Sequence, residues 1–304
     1  MNELVSIIIP TYKRPKAFIK RAIDSVLQQT YSNVEVVLVD DNAGEALKAH
    51  RKIVVDLLKE YPNENRIAYL SNSQNIGASL SRNKGIQNAK GSYISFLDDD
   101  DLYLPEKVEA QLTYMLDNQL EMCFSNLKYH NEKEEVIDVR VHTKLKSMAT
   151  EDLLTYHLTR HITGTPTFMY KKEILLAIGG FPPQDIAEEY HLMLKTIEGN
   201  YKIGYLPRID IIAYRHSNGG LSSSSEKLKG ENALYQFKKT YFNRLKFRNR
   251  LFIRFRHNVI MGISHKRNKH FIRCMVYLVY AVLISPIDAF LEVASTLKNI
   301  NKCS

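Results

Sequence analysis

Four consecutive carboxylates, Asp98 to Asp101, follow the apolar run SYISFL and precede LYLP. Like charges a few ångströms apart repel by about 4 kcal/mol per pair at an effective dielectric near 20. A chain that sets four of them at the end of a core strand has to relieve that repulsion. A solvated acidic turn capping the next helix does so partly. A divalent cation does so more fully, because hard ions take carboxylate oxygens, and magnesium or manganese keeps positions open for phosphate oxygens. Asp41, at the end of VEVVLVDDN, suits either the N–H groups of its own turn or the N–H of a nucleotide base. Arg82, in GASLSRNKGI, is a surface cation or a planar set of donors for base, ribose or phosphate. Glu188 and Glu189, in FPPQDIAEEYHLMLK, favour a helix N-terminus electrostatically. Either also suits a general base for a hydroxyl nucleophile, provided the hydroxyl comes within hydrogen-bond reach. His216, in YRHSNGG, precedes a Gly/Ser-rich stretch with the composition of a closing lid.

These groups need elements to position them. Leu4 to Ile9 and Val34 to Val39 are short, nearly continuous apolar runs, as expected of strands covered on both faces. Arg66 to Leu70 and Ser92 to Leu97 read as two more strands. Between them Lys16 to Gln29, Ala46 to Leu58 and Ala78 to Ala89 show helical spacing. Pro105 and Glu106 open a helix with Val108, Leu112, Met115 and Leu116 on its apolar face. Alternating strands and helices predict an α/β fold with a mainly parallel sheet and helices on both faces. Ligands bind beyond the carboxyl ends of such strands. Three polar clusters, Thr11 to Arg14, Asp40 to Asn42 and Asp98 to Asp101, fall at those ends and should converge. Farther on, strands are expected over Glu121 to Ser125, Thr167 to Tyr170, Tyr201 to Leu206 and Ile209 to Tyr214. A turn is expected at Gly179 and Gly180, and a helix over Ala187 to Ile197.

The chain's 304 residues leave room for a large core. Cys123, Cys274 and Cys303 are odd in number and far apart, which predicts reduced thiols in a cytosolic setting and no zinc site. The opening MNELVSIIIP lacks the basic start and the apolar length of a signal peptide. The net charge of +9 is local. From Asn232 to Ile287 there are twelve Lys and Arg and no Asp or Glu. Within that stretch RLKFRNRLFIRFRH interleaves arginine with Phe and Leu, and MVYLVYAVLISPI is apolar. Thirteen residues of helix span about 20 Å, short of the roughly 30 Å hydrocarbon core of a membrane. Basic and aromatic surfaces can hold single-stranded nucleic acid. Attachment to the inner face of a membrane fits this stretch better, with cations on anionic headgroups and apolar side chains in the interface. Packing onto the rest of the chain or onto a partner is the plain alternative.

Several spaced segments together resemble the large bacterial family two of inverting glycosyltransferases with the GT-A fold. VSIIIPTYKR is similar to its opening strand and turn, and DSVLQQTYSNVEVVLVDDN to its helix, Gln-Thr-Tyr and Asp-Asp strand end. NIGASLSRNKGI resembles its Asn-x-Gly…Ala-Arg-Asn segment, SFLDDDDLYLPEKVEAQ its DXD segment, and GGFPPQDIAEEYHLMLK its acidic acceptor motif. The resemblance spans about Val5 to Ser222. It implies a GT-A domain over 1–222, with a nucleotide-sugar half to about 125 and an acceptor half from about 126, and a basic helical tail over 223–304. It implies a UDP-sugar donor, a glycan or lipid-linked saccharide acceptor, a Mn2+ or Mg2+ cofactor, and no nucleic-acid partner. By the same resemblance Pro10, Thr11, Tyr12 and Arg14 line the nucleotide pocket, Asp41 reads the base and Arg82 faces the nucleotide. Asp98 and Asp99 lie by ribose or phosphate, Asp100 binds the metal, and His216 lies near the phosphates and the metal. Glu189 stands where the family usually has an aspartate base, and His191 replaces the following acid, so Glu188 and Asp185 remain rivals for the base. A nucleotidyltransferase would carry a Gly-rich basic loop after the first strand, which PTYKRPKAF lacks. A non-catalytic membrane- or RNA-binding protein is the other competing class.

Overall fold

A computed structural model of the chain describes residues 2–183, 187–215 and 224–291, with side chains from 228 onward in the last segment. Two compact units emerge, one of residues 1–154 and 162–219, the other of 155–161 and 220–304. The second unit therefore takes in a short segment from within the span expected for the first.

In the first unit β1 (Val5–Thr11), β2 (Val34–Asp40), β3 (Ile67–Ser71) and β4 (Tyr93–Phe96) lie parallel in the order β3-β2-β1-β4. Nearly every residue of β1 and β2 is buried, as both-faced coverage requires. One face, carrying Ile7, Ile9, Val36 and Leu38, packs on Ile19, Ile23 and Val26 of α1 (Lys16–Leu27) and on Val54 and Leu57 of α2 (Lys48–Leu58). Each such side chain contributes about 1.5–3 kcal/mol by leaving water. The other face carries Ile8 against α3 (Gly77–Asn88). A Cβ on Gly85 would lie 2.5 Å from Ile8 Cγ2, so this crossing demands glycine.

The sheet continues through β8 (Phe168–Lys171), β6 (Met122–His130), β9 (Ile203–Tyr214) and β5 (Leu102–Tyr103), and β7 (Val136–Arg140) flanks β6. Here the mainly parallel expectation changes. β8 is antiparallel to both β4 and β6, β5 is antiparallel to β9, and β6 and β9 are parallel. The two strands expected over 201–214 are one strand, β9, whose register against β6 shifts beside Ser125 and Asn126. Helices α4 (Lys107–Asp117), α5 (Thr150–Arg160), α6 (Lys172–Ala177) and α7 (Glu188–Glu198) complete this part of the chain.

The second unit is helical: α8 (Ser224–Lys239), α9 (Phe247–Arg267) and α10 (Phe271–Ile284), joined by residues 155–161 at the end of α5. The α9–α10 hairpin closes tightly at Gly262, where an added Cβ would lie 3.1 Å from the Leu278 side chain. Arg248 pairs with Asp288 through both guanidinium nitrogens, Nη2 to Oδ1 at 2.6 Å, and its Nη1 donates to Ser285 Oγ at 3.1 Å. Among the described residues no helix is long and apolar enough to cross a membrane.

Candidate active site

The acidic run is a tight turn, closed by the Asp101 N–H donating to the Asp98 carbonyl at 3.0 Å. Asp101 points inward and accepts the Tyr214 N–H at 2.9 Å, which ties the turn to β9. Asp99 is as buried as Asp101, with a side chain 6% exposed, whereas the Asp100 side chain is 15% and that of Asp98 37% exposed. Arg14 Nε donates to Asp99 at 2.8 Å, and its Nη1 lies 3.1 Å from Asp100. Arg82 Nη2 donates to Asp98 at 2.6 Å. Arg21, stacked on the Tyr214 ring at 3.8 Å, donates to the Asp100 carbonyl at 2.5 Å. The ion pairs described set two guanidinium groups, those of Arg14 and Arg82, among four carboxylates. Burial first, then the charge of Asp100, pushes Asp99 up to about 7 against the pull of Arg14. Asp101 stands well above the usual carboxylate range, through burial and the charges of Asp98 and Asp100.

Beneath this turn lies a cation that sequence reasoning missed. Lys107, at the start of α4, is fully buried. Its Nζ donates to Ser95 Oγ at 2.5 Å and sits 4.0 Å from the centre of the Tyr103 ring. Burial pushes it down to about 7. Ser95 on β4 also donates to the Phe168 carbonyl at 2.6 Å, so this polar knot fixes the strand that delivers the four aspartates. The hint was a lysine placed among apolar helix positions.

At the end of β1, Lys13 takes a left-handed conformation (φ 51°) and donates its N–H to Asn42 Oδ1 at 2.8 Å. That turn carries Pro10, Thr11, Tyr12 and Arg14 to the same strand-end edge as Asp40 to Asn42, since Thr11 pairs with Asp40. Thr11 is buried, and Pro10 and Tyr12 are half-buried. Asp41 receives Asn72 Nδ2 (2.8 Å) and the Ile76 N–H (3.0 Å) on one oxygen, and Asn75 Nδ2 and the Gly77 N–H (both 2.9 Å) on the other. A carboxylate offers about four lone-pair sites, and here each has a donor. Asp41 thus caps α3 and holds the loop before it.

Arg82 is buried, and instead of facing open solvent it spans two acidic motifs. Besides Asp98 it donates Nη1 to Glu188 Oε1 at 3.1 Å. Its neighbour Asn83 grips Phe181 twice, donating to the carbonyl and accepting the N–H, both at 2.8 Å. Gly180, at φ 61°, has to be glycine, because a Cβ would fall 2.3 Å from Asn83 Oδ1. Adjacent residues of α3 therefore hold both flanks of the segment leading into α7. Glu188 is engaged by Arg82, while Glu189 is pushed up to about 7, by burial first and by Glu188 second. His216 and Asp185, both named from the sequence, lie outside the described residues.

A parallel half-sheet whose strand ends gather an acidic turn, a polar β1 turn and an acidic helix start defines the GT-A glycosyltransferase architecture. The chain belongs to glycosyl transferase family 2, whose model matches residues 6–179. A glycosyltransferase of Methanocaldococcus jannaschii is 28% identical over 251 residues, 82% of this chain and 83% of that one. The Escherichia coli UDP-Glc:alpha-D-GlcNAc-diphosphoundecaprenol beta-1,3-glucosyltransferase WfgD is 35% identical over 128 residues, 42% of this chain and 47% of that one. Among solved structures, S. aureus TarS 1-349 in complex with UDP-GlcNAc matches at a TM-score of 0.58 and 17% identity, covering 90% of each chain. The mannosyltransferase PcManGT of Pyrobaculum calidifontis, in complex with GDP-Man and Mn2+, matches at 0.59 and 16% identity, covering 98% of this chain and 81% of that one.

The donor set fits a hard divalent cation. It consists of carboxylate oxygens in charge excess, with Asp98 and Asp100 the most exposed. Among the described residues no three carboxylate, imidazole or thiolate groups form a ready-made ion cage.

Proposed function

We propose that this protein is an inverting transferase that moves a sugar from a UDP-sugar to a hydroxyl of a glycan or lipid-linked saccharide. It belongs, on this reading, to the synthesis of cell-envelope polysaccharide and works on the cytoplasmic side. One observation carries it: Arg82 joins the acidic turn to the start of α7, where the adjacent Glu189 titrates near neutrality. The printed activity of WfgD and the UDP-GlcNAc held by TarS support the donor and acceptor classes.

Thr11, Tyr12 and Arg14 line the nucleotide pocket, with Pro10 setting the backbone of their turn. Asp41 shapes the base pocket through Asn72 and Asn75, and a base N–H that reaches it displaces one of their amides. Asp100, with Asp98 and Asp99 beside it, would hold Mn2+ or Mg2+, with His216 assigned as a further ligand. Such an ion offsets the charge that builds on a departing diphosphate. Glu189 takes the acceptor proton as the acceptor oxygen bonds to the anomeric carbon on the face opposite the breaking C–O bond. UDP leaves with the electron pair of that bond, and a single displacement inverts the centre. A base works best with its pKa near the operating pH, and Glu189 meets that condition. Glu188 is the weaker candidate because Arg82 already occupies it.

The test is UDP release from UDP-glucose, UDP-galactose and UDP-GlcNAc with manganese, beside calorimetric binding and with GDP-mannose as control. Asp100→Ala should lower turnover by about 10³-fold or more, on the scale of losing one main charge-stabilising group. Glu189→Gln should abolish transfer while leaving UDP-sugar affinity within about twofold, because it removes a proton acceptor and spares the nucleotide pocket. Wild-type turnover by Glu189→Gln would take that residue out of the mechanism. Failure of every UDP-sugar to bind with manganese would remove the proposed donor class.

A further inference from the structure

In the helical unit the basic-aromatic stretch and the apolar stretch have different fates. The aromatic side chains interleaved with arginine in α9 are largely used in packing. Within α9, Ile253 and Phe255 are buried and Phe252 lies under the Arg160 guanidinium at 4.2 Å, while Phe247 at the helix start is exposed. α10 is the reverse. Cys274 and Ala281 turn toward α9 and are buried, while Ile272 (84%), Met275, Val276, Val279, Tyr280 and Leu283 (70%) are exposed. At 100° per residue these exposed apolar positions of α10 cover an arc of about 140°, and Arg273 lies just beyond the margin set by Tyr280. Ser285 and Pro286 end the helix, and Ile287, Phe290 and Leu291 extend exposed apolar surface beyond it. Soluble proteins rarely leave contiguous apolar patches of this kind without a partner.

The charge around this face says what the partner is. Lys266, Arg267, Lys269, His270 and Arg273 are exposed where α9 turns into α10. The nearest acid that follows, Asp288, is buried and clasped by Arg248. A protein partner made for the apolar arc alone would not require cations at one end of it. An anionic bilayer requires both, headgroups for the cations and an acyl boundary for the side chains. At 14 residues, about 21 Å, α10 is too short to cross and suits lying in the interface.

We propose that the exposed face of α10 is a membrane-docking surface that inserts into the headgroup–acyl boundary of an anionic bilayer, with Lys266, Arg267, Lys269 and Arg273 on the phosphates. The arginine-rich segment before it is the scaffold that presents this surface.

The test is co-sedimentation of the full chain with phosphatidylcholine vesicles, with and without phosphatidylglycerol. We expect binding to vesicles containing phosphatidylglycerol, weaker by at least about tenfold to phosphatidylcholine alone and reduced by added salt. Ile272→Asp with Val279→Asp should abolish binding to both lipids. Lys266→Gln, Arg267→Gln, Lys269→Gln and Arg273→Gln together should remove the preference for phosphatidylglycerol and leave the apolar part. All these positions are exposed, so far-UV circular dichroism and manganese-dependent UDP release should stay at wild-type values. UDP release also separates failure here from failure of the donor chemistry. Three results would overturn the proposal: no sedimentation with phosphatidylglycerol vesicles, full binding by the double aspartate variant, or a dimer in lipid-free buffer that the same variant dissolves. The last result would assign the face to a second copy of the chain.

Discussion

The two units put their unbalanced charge to opposite uses. In the first, Asp98, Asp99, Asp100 and Asp101 crowd one turn and Glu188 and Glu189 crowd one helix start, against the guanidinium groups of Arg14 and Arg82. In the second, twelve cations occupy a stretch without an acid, and Asp288 beyond it is already taken. Most of the acidic excess is buried, so it shifts proton affinities, and it gathers at the strand ends. The basic excess is exposed and borders an apolar helix face. Charge surplus inside a fold calls for a small ion, and charge surplus outside it calls for a surface.

The largest way to break this contrast is at Arg82. Arg82→Gln leaves Asp98 and Glu188 without their shared cation, and removing one partner of a buried ion pair costs about 3–5 kcal/mol. We expect a large fall in melting temperature and loss of transfer. In whatever activity survives, the acid limb of the rate profile should move upward, because the positive charge that lowers Glu189 is gone. An unchanged profile would mean that Arg82 is packing alone.

The pH response of the wild type sharpens the comparison further. Transfer should rise as pH increases through about 7, the value at which Glu189 loses its proton. Stability should run the other way. Asp99 moves from an ordinary 3.8 to about 7 on folding, so between those values the folded chain holds the proton that the unfolded chain has released. The folded state binds more protons there, and stability falls as pH rises across that window. Manganese with UDP should reverse part of the fall, and thermal melts at a series of pH values will show it. The smallest effect belongs to the other unit. Lys266→Gln, Arg267→Gln, Lys269→Gln and Arg273→Gln together should change the melting temperature by no more than about 2 °C, since exposed charges remote from structural pairs contribute within about 0.5 kcal/mol. A collapse of stability would make these cations structural.

The strand-end edge was legible because its signals are local. Continuous apolar runs marked β1, β2 and β4, and each ran directly into a polar cluster that could be named. The acceptor half was legible only in pieces. β5 has two residues and exists through its pairing with β9, which no periodicity can show. β7 exposes Val136, Ile137 and Val139 at a sheet edge, so its pattern lacks the buried face that alternation reports. The bulge that makes β9 one strand is a register shift against β6, set by a partner eighty residues away. Within the site the residue types were readable, but their pairing was not. Arg82 was readable as a donor for a nucleotide, but its pairing with Asp98 and Glu188, 16 and 106 residues away, was not. Asp41 is likewise used inside the chain, by four donors that lie thirty and more residues away.

The paired grip of Arg82 and Asn83 has a consequence for engineering. Both ends of the stretch between Phe181 and Glu188 are moored to one turn of one helix. A graft of the equivalent stretch from a relative therefore has to carry partners for Arg82 and Asn83 at its two ends, or α7 loses the contacts that align it.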